Sequence, residues 1–315
     1  MGRTDIGGQA VIEGIMMKGR KVYAVAVRKD DDSIALDVQN TSSILDKYKF
    51  LRLPIFRGMA VFVESLVLGV KTLTYSAEMF GDDEEEEPGK FEKWLTEKLG
   101  DKTEKVVLGA TMAVSFILAI GIFMILPMLI SRLFIGIIPS SFVQNLVEGA
   151  VRIGIFLLYM KCVTKMKDIE RTFQYHGAEH KTINCLEQDR ELTVENVREC
   201  TRLHKSCGTS FLFVVMIVSI LVFSVFTTQV LWIRTLVRIV MVPVVAGISY
   251  EFIRWARKTE DSKIAGFLSK PGMWLQREFT TIEPDDKQIE VAIAAVKGVL
   301  DNEPPTGKEE KCNCK

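Results

Sequence analysis

Histidine is the scarcest residue in this chain: three occur in 315 residues, His176, His180 and His204, and all share one short window. Histidine is the usual neutral metal ligand and the usual acid/base near pH 7, so chemistry is expected there. An excess of one charge is also missing. Lysine plus arginine and aspartate plus glutamate balance at 40 each, which removes the electrostatic argument for direct nucleic-acid binding and for an acidic, solvating chain. The six cysteines, Cys162, Cys185, Cys200, Cys207, Cys312 and Cys314, are scattered, without the dense framework of a small secreted domain. The opening MGRTDIGGQA lacks the basic stretch and apolar core of a secretory leader. The soluble parts are therefore expected in the cytoplasm with reduced thiols. Ile6 stands where a myristoylation signal needs Ser or Thr, and no internal repeat is evident.

Charge is locally absent from two long runs, Val106 to Ile130 and Thr209 to Ile233. Each exceeds the roughly 20 apolar residues that cross about 30 Å of hydrocarbon, so an integral membrane protein is expected. Residues 1–53 read as a small β-rich cytoplasmic element. KVYAVAVRK and SIALDVQ alternate around an Asp30–Asp32 turn, which predicts a hairpin. Residues 54–80 read as a helix that is apolar except for Arg57, Glu64, Lys71 and Glu78, one narrow polar stripe at seven-residue spacing. If this helix spanned the bilayer it would separate two basic segments that both favour the cytoplasm; an interfacial or re-entrant helix is expected instead. An acidic then basic linker follows at 81–105.

Transmembrane helices are expected at 106–130, 142–164, 209–227 and 230–250. Polar Thr227, Thr228 and Gln229 supply a tight outer turn, and Lys161, Lys165, Lys167, Arg254, Arg257 and Lys258 mark inner ends. That places the termini and a His/Cys insertion at 168–208 in the cytoplasm. The segment 251–300 is expected to carry a helix that starts at Pro284, Asp285 and Asp286 and buries Ile289, Ile293, Val296 and Leu300; 301–315 reads as a disordered tail. The expected fold class is thus mainly α: a polytopic helical membrane protein with about four transmembrane helices, one interfacial or re-entrant helix and a small N-terminal β-rich element.

His176, Glu179 and His180 spell H-x-x-E-H, the order of inverted zinc proteases. Spacing i, i+4 puts both imidazoles on one helix face, and a carboxylate beside them is what general-base hydrolysis requires. Glu187 returns to that face about three turns later. Thr193 reads as an N-cap and Gly208 as a stop, predicting a second helix with Cys200, His204 and Cys207 on one face. Two short helices would then gather metal ligands from His176, His180, His204, Glu187 and Cys207, with Glu179 as base; the expected cofactor is a divalent metal, zinc by its N/S donor set. Gly177 argues against this helix by about 1 kcal/mol relative to alanine, and Cys185 and Cys200 are more often simple buried thiols. Glu13 is an isolated acid among small residues, read as a local turn or as a group carried toward the metal.

In the expected spans, Glu148 and Arg152, and Arg234 and Arg238, stand at i, i+4 at matched depth. They are expected to pair as a staple between helices.

IGGQAVIEGIMMKGR, PIFRGMAVFVESLVLGVKTL, YHGAEHKTINCLE, LHKSCGTSFLF and TTIEPDDKQIEVAIAAVK occur in this order, and with them the chain resembles the YqhQ-like family of bacterial polytopic membrane proteins. The resemblance runs from about residue 5 to about residue 300. It implies an inner-membrane protein of unestablished function under the general label of a predicted metal-dependent enzyme. It supports His176, Glu179, His180, Glu187, His204 and Cys207 as the site. It also implies work near translation, hence a membrane-protein or nascent-chain partner besides the bilayer. The reading that follows is a metal-dependent hydrolase at the cytoplasmic membrane surface, acting on a peptide, lipid or other ester-like group. The rival is a non-enzymatic membrane accessory or biogenesis factor with a structural metal or a polar histidine cluster.

Overall fold

The computed structural model describes residues 6–80, 103–134, 140–205, 207–226, 228, 230–258 and 263–304. The expected acidic loop at 81–90, the residues Thr227 and Gln229 of the outer turn, and Cys312 and Cys314 lie outside the described residues. In chain order come four strands, β1 (Gly7–Val11), β2 (Gly14–Lys18), β3 (Val22–Arg28) and β4 (Ile34–Asn40), then the short α1 (Ile44–Lys47) and the long α2 (Phe56–Phe80). Helices α3 (Thr103–Ile120) and α4 (Leu126–Arg132) flank a π-helical turn, Gly121–Ile125, and α5 (Ser141–Val163) follows. Next are α6 (Lys167–Glu187), α7 (Val194–Glu199), α8 (Gly208–Ser224) and α9 (Leu231–Lys258). The chain closes with α10 (Lys263–Leu275), a second π-helical turn Gln276–Thr280, and α11 (Asp286–Asn302). It divides into one compact unit of Met1–Gly81, Lys161–Val215 and Ala246–Lys315, and another of Asp82–Met160 and Met216–Val245.

In the first unit the strands form an antiparallel meander in the order β1-β2-β3-β4. The hairpin expected at Asp30–Asp32 is the β3–β4 connection, and Asp32 takes a left-handed φ of 66° there. Because side chains alternate across a sheet, β2 and β3 serve two cores. Ile15, Met17, Ala24 and Ala26 pack with Tyr175, Ala178, Ile289, Val296 and their neighbours from α6 and α11. Met16, Tyr23, Val25 and Val27, with Val11 of β1, pack against Leu68, Tyr75, Met79 and Phe80 of α2. The expected β-rich element at 1–53 also contains β1 and β2, ahead of the expected hairpin. Helix α11 opens on a capping box in which Gln288 N donates to Asp285 at 2.8 Å and Asp285 N donates to Gln288 Oε1 at 3.0 Å. Its buried face runs Ile289, Ile293, Val296 and Val299, while Leu300 is exposed. The helix reaches Asn302, past the expected start of the tail.

The polar stripe of α2 faces protein. Arg57 donates from Nε and Nη2 to the two carboxylate oxygens of Glu251, Glu64 accepts from Ser43 Oγ at 3.1 Å and from Ile44 N, and Lys71 donates to Gln39 Oε1 at 2.7 Å and Tyr23 OH at 2.9 Å. Val63, Leu66, Val67, Val70 and Leu73 are left exposed. Three of the four stripe charges thus find partners in protein, Glu78 is exposed, and part of the apolar surface is turned outward.

Each expected span coincides with a helix, but among the described residues two helices are long and apolar enough to cross a membrane: Gly109–Arg132 and Leu231–Trp255. Gly208–Ser224 is apolar but shorter, and Ser141–Val163 carries Glu148 and Arg152. The structure thus supports a mainly helical chain with an N-terminal sheet and two membrane-length helices, fewer than the four expected.

Candidate functional site

Helix α6 arrays Arg171, Tyr175, His176, Glu179, His180 and Glu187 within a few turns. Gly177 sits inside it because a Cβ there would stand 2.1 Å from the Ile282 carbonyl oxygen. Its absence admits the 280–283 segment, where Ile282 N donates to Phe173 O at 3.0 Å and the Thr280 carbonyl accepts from His176 Nδ1 at 2.6 Å. The Arg202 carbonyl accepts from His180 Nδ1 at 2.7 Å. A ring whose Nδ1–H is spent on a carbonyl keeps its proton there and turns an Nε2 lone pair outward. The two rings lie 4.3 Å apart between centroids.

Cys207 completes the group. Its Sγ is 3.2 Å from His176 Nε2 and accepts from Thr209 N at 3.4 Å and Thr209 Oγ1 at 3.3 Å. One donor atom from each of His176, His180 and Cys207 lies within 4.8 Å of the others. His180 is 1% exposed, and its Nε2 has no hydrogen-bond partner among the described residues. Burial pushes the His180 pKa well below its ordinary value, with His176 and His204 nearby adding to the effect. Burial also raises the Cys207 thiol, against the two Thr209 hydrogen bonds. A neutral imidazole nitrogen left unpaired in a buried site beside a second imidazole and a thiol has the donor chemistry of a zinc site.

Glu179 reaches within 4.0 Å of His176 Nε2. Burial pushes its pKa up to about 7, with Cys207 adding to the rise and His176 and a hydrogen bond from the Gly8 backbone N–H opposing it. A carboxyl poised near neutrality can hold or release a proton at working pH. The cluster lines a cavity of about 750 Å³ walled by residues 6–10, by α6 and by the start of α8.

A family model described as a protein of unknown function, DUF1385, matches residues 53–302. The chain belongs to the DUF1385 family. It is 36% identical over 295 residues to a Bacillus subtilis (strain 168) relative described as uncharacterized protein YqhQ, covering 93% of this chain and 92% of the relative. No solved structure matches the chain.

In this DUF1385 chain the other expected site residues fall differently. Glu187 and His204 pair with each other, Nε2 to carboxylate at 3.3 Å, so Cys207 rather than either of them stands third beside the two histidines. The expected second helix ends at Glu199: Cys200 is extended, with ψ of 155°, and is buried beside Cys185 in the core. His204 and Cys207 therefore sit on irregular chain. Gln276 holds that chain, accepting from His204 N and donating to His204 O, each at 2.9 Å. Glu13, at a left-handed φ of 46°, turns away from the cluster. It pairs with Arg171 through two guanidinium nitrogens and accepts from Tyr175 OH at 3.1 Å, tying the β1–β2 turn to α6. Sequence reading missed the Thr280 and Arg202 carbonyls, Gln276 and the Gly8 N–H. No spacing signal points to a carbonyl that arrives from 104 residues away.

In the second unit, Glu148 meets all three arginines: Arg152 Nη2 at 2.8 Å, Arg234 Nη2 at 3.0 Å and Arg238 Nη2 at 2.8 Å. Arg152 and Arg238 also lie over the Phe223 ring at 5.6 Å and 5.2 Å from its centroid, and Arg234 donates to Asn145.

Proposed function

We propose that this chain is a membrane-embedded, metal-dependent hydrolase whose centre is held by His176, His180 and Cys207, with Glu179 as the proton-handling group. The observation that carries the reading is the buried, unpartnered His180 Nε2 beside His176 Nε2 and Cys207 Sγ, with both Nδ1 atoms anchored on carbonyls. Zinc fits this donor set best, and bound there it would supply Lewis acidity to water and to a substrate carbonyl. Held by these three protein donors, a zinc ion would have room for a water or substrate ligand, as in catalytic rather than structural sites. The chain's own contribution is orientation and proton transfer. The Thr280 and Arg202 carbonyls fix the histidine tautomers, Thr209 steadies the thiolate, and Glu179, with its pKa near 7, takes a proton from the nucleophile and returns it to the leaving group.

The membrane part of the proposal keeps four spans, adding α5 and α8 to the two membrane-length helices, with both termini and the cluster cytoplasmic. The outward apolar face of α2, exposed at Val63, Leu66, Val67, Val70 and Leu73, suits a helix lying in the interface. Elemental analysis of the detergent-purified protein beside a His176→Ala/His180→Ala variant tests the centre. About one equivalent of zinc in the wild type, lost in the variant, is expected. A folded wild type that contains no metal and refuses added zinc would retire the reading.

A further inference from the structure

We propose that the cleft beside β1 receives an extended polypeptide segment, which pairs through its backbone with the outer edge of β1 and passes the His176–His180–Cys207 cluster. This rests on the hydrolase reading for the fate of the segment, and it selects a peptide over a lipid ester as substrate class.

The edge argument starts from hydrogen-bond phase. Arg28 N donates to Glu13 O at 2.9 Å and Gly19 N to Val22 O at 2.8 Å, so Ile15 and Met17 of β2 exchange bonds with β3. In an antiparallel ladder successive residues alternate sides. Gly14, Met16 and Lys18 therefore bond to Val11, Gln9 and Gly7, their partners in β1. Gly8 and Ala10 are left to point their N–H and C=O groups away from β2, off an edge that no other strand pairs with among the described residues. Both residues line the cleft. Gly8 N–H is taken by Glu179, which sets the carboxylate level with the edge; the Gly8 carbonyl and both Ala10 groups continue the row. Like groups two residues apart repeat every 6.8 Å or so along a strand, a spacing that an extended peptide matches and an acyl chain or headgroup does not.

The strand is built for close approach. GGQAV carries no charge, proline or bulge, three of the devices that protect an edge; α6 and α2 both pack against the strand and leave the cleft between β1, α6 and the start of α8 as its accessible side. A Cβ on Gly8 would lie 2.7 Å from Met17 Sδ and 2.9 Å from Glu179 Cγ, so only glycine lets the strand pack this closely on the helix that carries the carboxylate. Gly7 next to it faces open space. The Glu13–Arg171–Tyr175 contacts hold the turn of this hairpin on the same helix that carries the cluster. A cavity of about 750 Å³ is large enough for several residues of ligand.

The test uses the full chain in detergent as the His176→Ala/His180→Ala variant, so that nothing is turned over, with fluorescein-labelled casein, an unfolded protein, as the probe. Anisotropy is expected to show binding. A casein-derived decapeptide that binds is then N-methylated at one backbone position at a time, which removes single N–H donors. Strand pairing predicts losses of about tenfold at alternate positions and little change between them. Ala10→Pro, which deletes an outward N–H at an edge position that tolerates proline, is expected to weaken binding by a similar factor. Absence of casein binding by folded protein, equal sensitivity to every N-methyl group, or displacement of casein by phosphatidylglycerol vesicles would each overturn the proposal. Zinc content of the wild type separates the two claims. Zinc without casein binding sinks the peptide assignment alone, whereas casein binding without zinc sinks the hydrolase and leaves the docking edge standing.

Discussion

The two units of this protein each bury a polar cluster, and the clusters are built on opposite principles. In the helical unit Glu148, 1% exposed, receives three guanidinium groups, and the Phe223 ring lies under two of them. Its carboxylate is saturated with partners, and the one buried nitrogen of that cluster without a hydrogen bond among the described residues is Arg234 Nε. In the sheet unit His180 is equally buried but leaves a ring nitrogen unspent, and its neighbours line a cavity. Saturation is what a structural staple needs, because a charge in apolar surroundings costs several kcal/mol unless every partner is in place. A ring nitrogen left unspent beside a cavity is open to water or to a ligand, which is what a binding site needs.

Removing the saturated carboxylate should have the largest effect. Glu148→Ala leaves three buried guanidinium groups without their carboxylate and should cost about 3–5 kcal/mol, read as loss of monodisperse, detergent-folded protein. Normal yield and thermal stability would place the arginines in water and dissolve the contrast. In the sheet unit, Gly177→Ala forces a methyl against the Ile282 carbonyl. A destabilisation of about 1–3 kcal/mol is expected, with weaker zinc retention because the Thr280 carbonyl moves away from His176. Unchanged stability and zinc content would remove that close approach as the reason for the glycine.

Glu179→Gln separates chemistry from architecture. It should keep the zinc and lower turnover about 10²–10⁴-fold; full turnover would remove Glu179 as the base. The same variant carries a pH signature in metal-free protein. The Glu179 pKa is raised from 4.5 to about 7 in the folded state, so the folded chain holds a proton that the unfolded chain has released. That stabilisation is complete below the unfolded value and is lost as pH rises through 7, by at most about 1.4 kcal/mol per unit. Thermal melts of wild type and Glu179→Gln from pH 4 to 8 should converge in slope only outside that window. The smallest change is expected from Glu187→Gln. It loosens the partly buried pair with His204, costs about 1 kcal/mol, and leaves zinc content intact. Loss of zinc would restore Glu187 as a ligand.

Both clusters were legible as residue sets and illegible as arrangements. The i, i+4 spacings at Glu148/Arg152 and Arg234/Arg238 put each pair on one helix face, yet nothing in spacing says that Glu148 serves all three arginines. The Thr193 cap of α7 was readable and is present, with Asn196 N donating to its hydroxyl at 3.3 Å. The end of that helix was not, because Cys200 leaves helical geometry to pack beside Cys185 in a core made by α11 and the sheet. The seven-residue stripe on α2 was readable as a stripe; that it points toward Glu251, Ser43 and Gln39 depends on partners far along the chain.

Sequence alone determined which donors exist and that two histidines share a helix face, since these follow from composition and local periodicity. Tertiary structure alone decided that Cys207 joins the two histidines while His204 and Glu187 turn to each other, and that Gly8 of an edge strand meets Glu179. Metal-binding competence of an imidazole depends on which nitrogen keeps its proton, and here that is set by carbonyls at Arg202 and Thr280. Those contacts form only when separate stretches of chain fold onto one helix, and no local pattern encodes them.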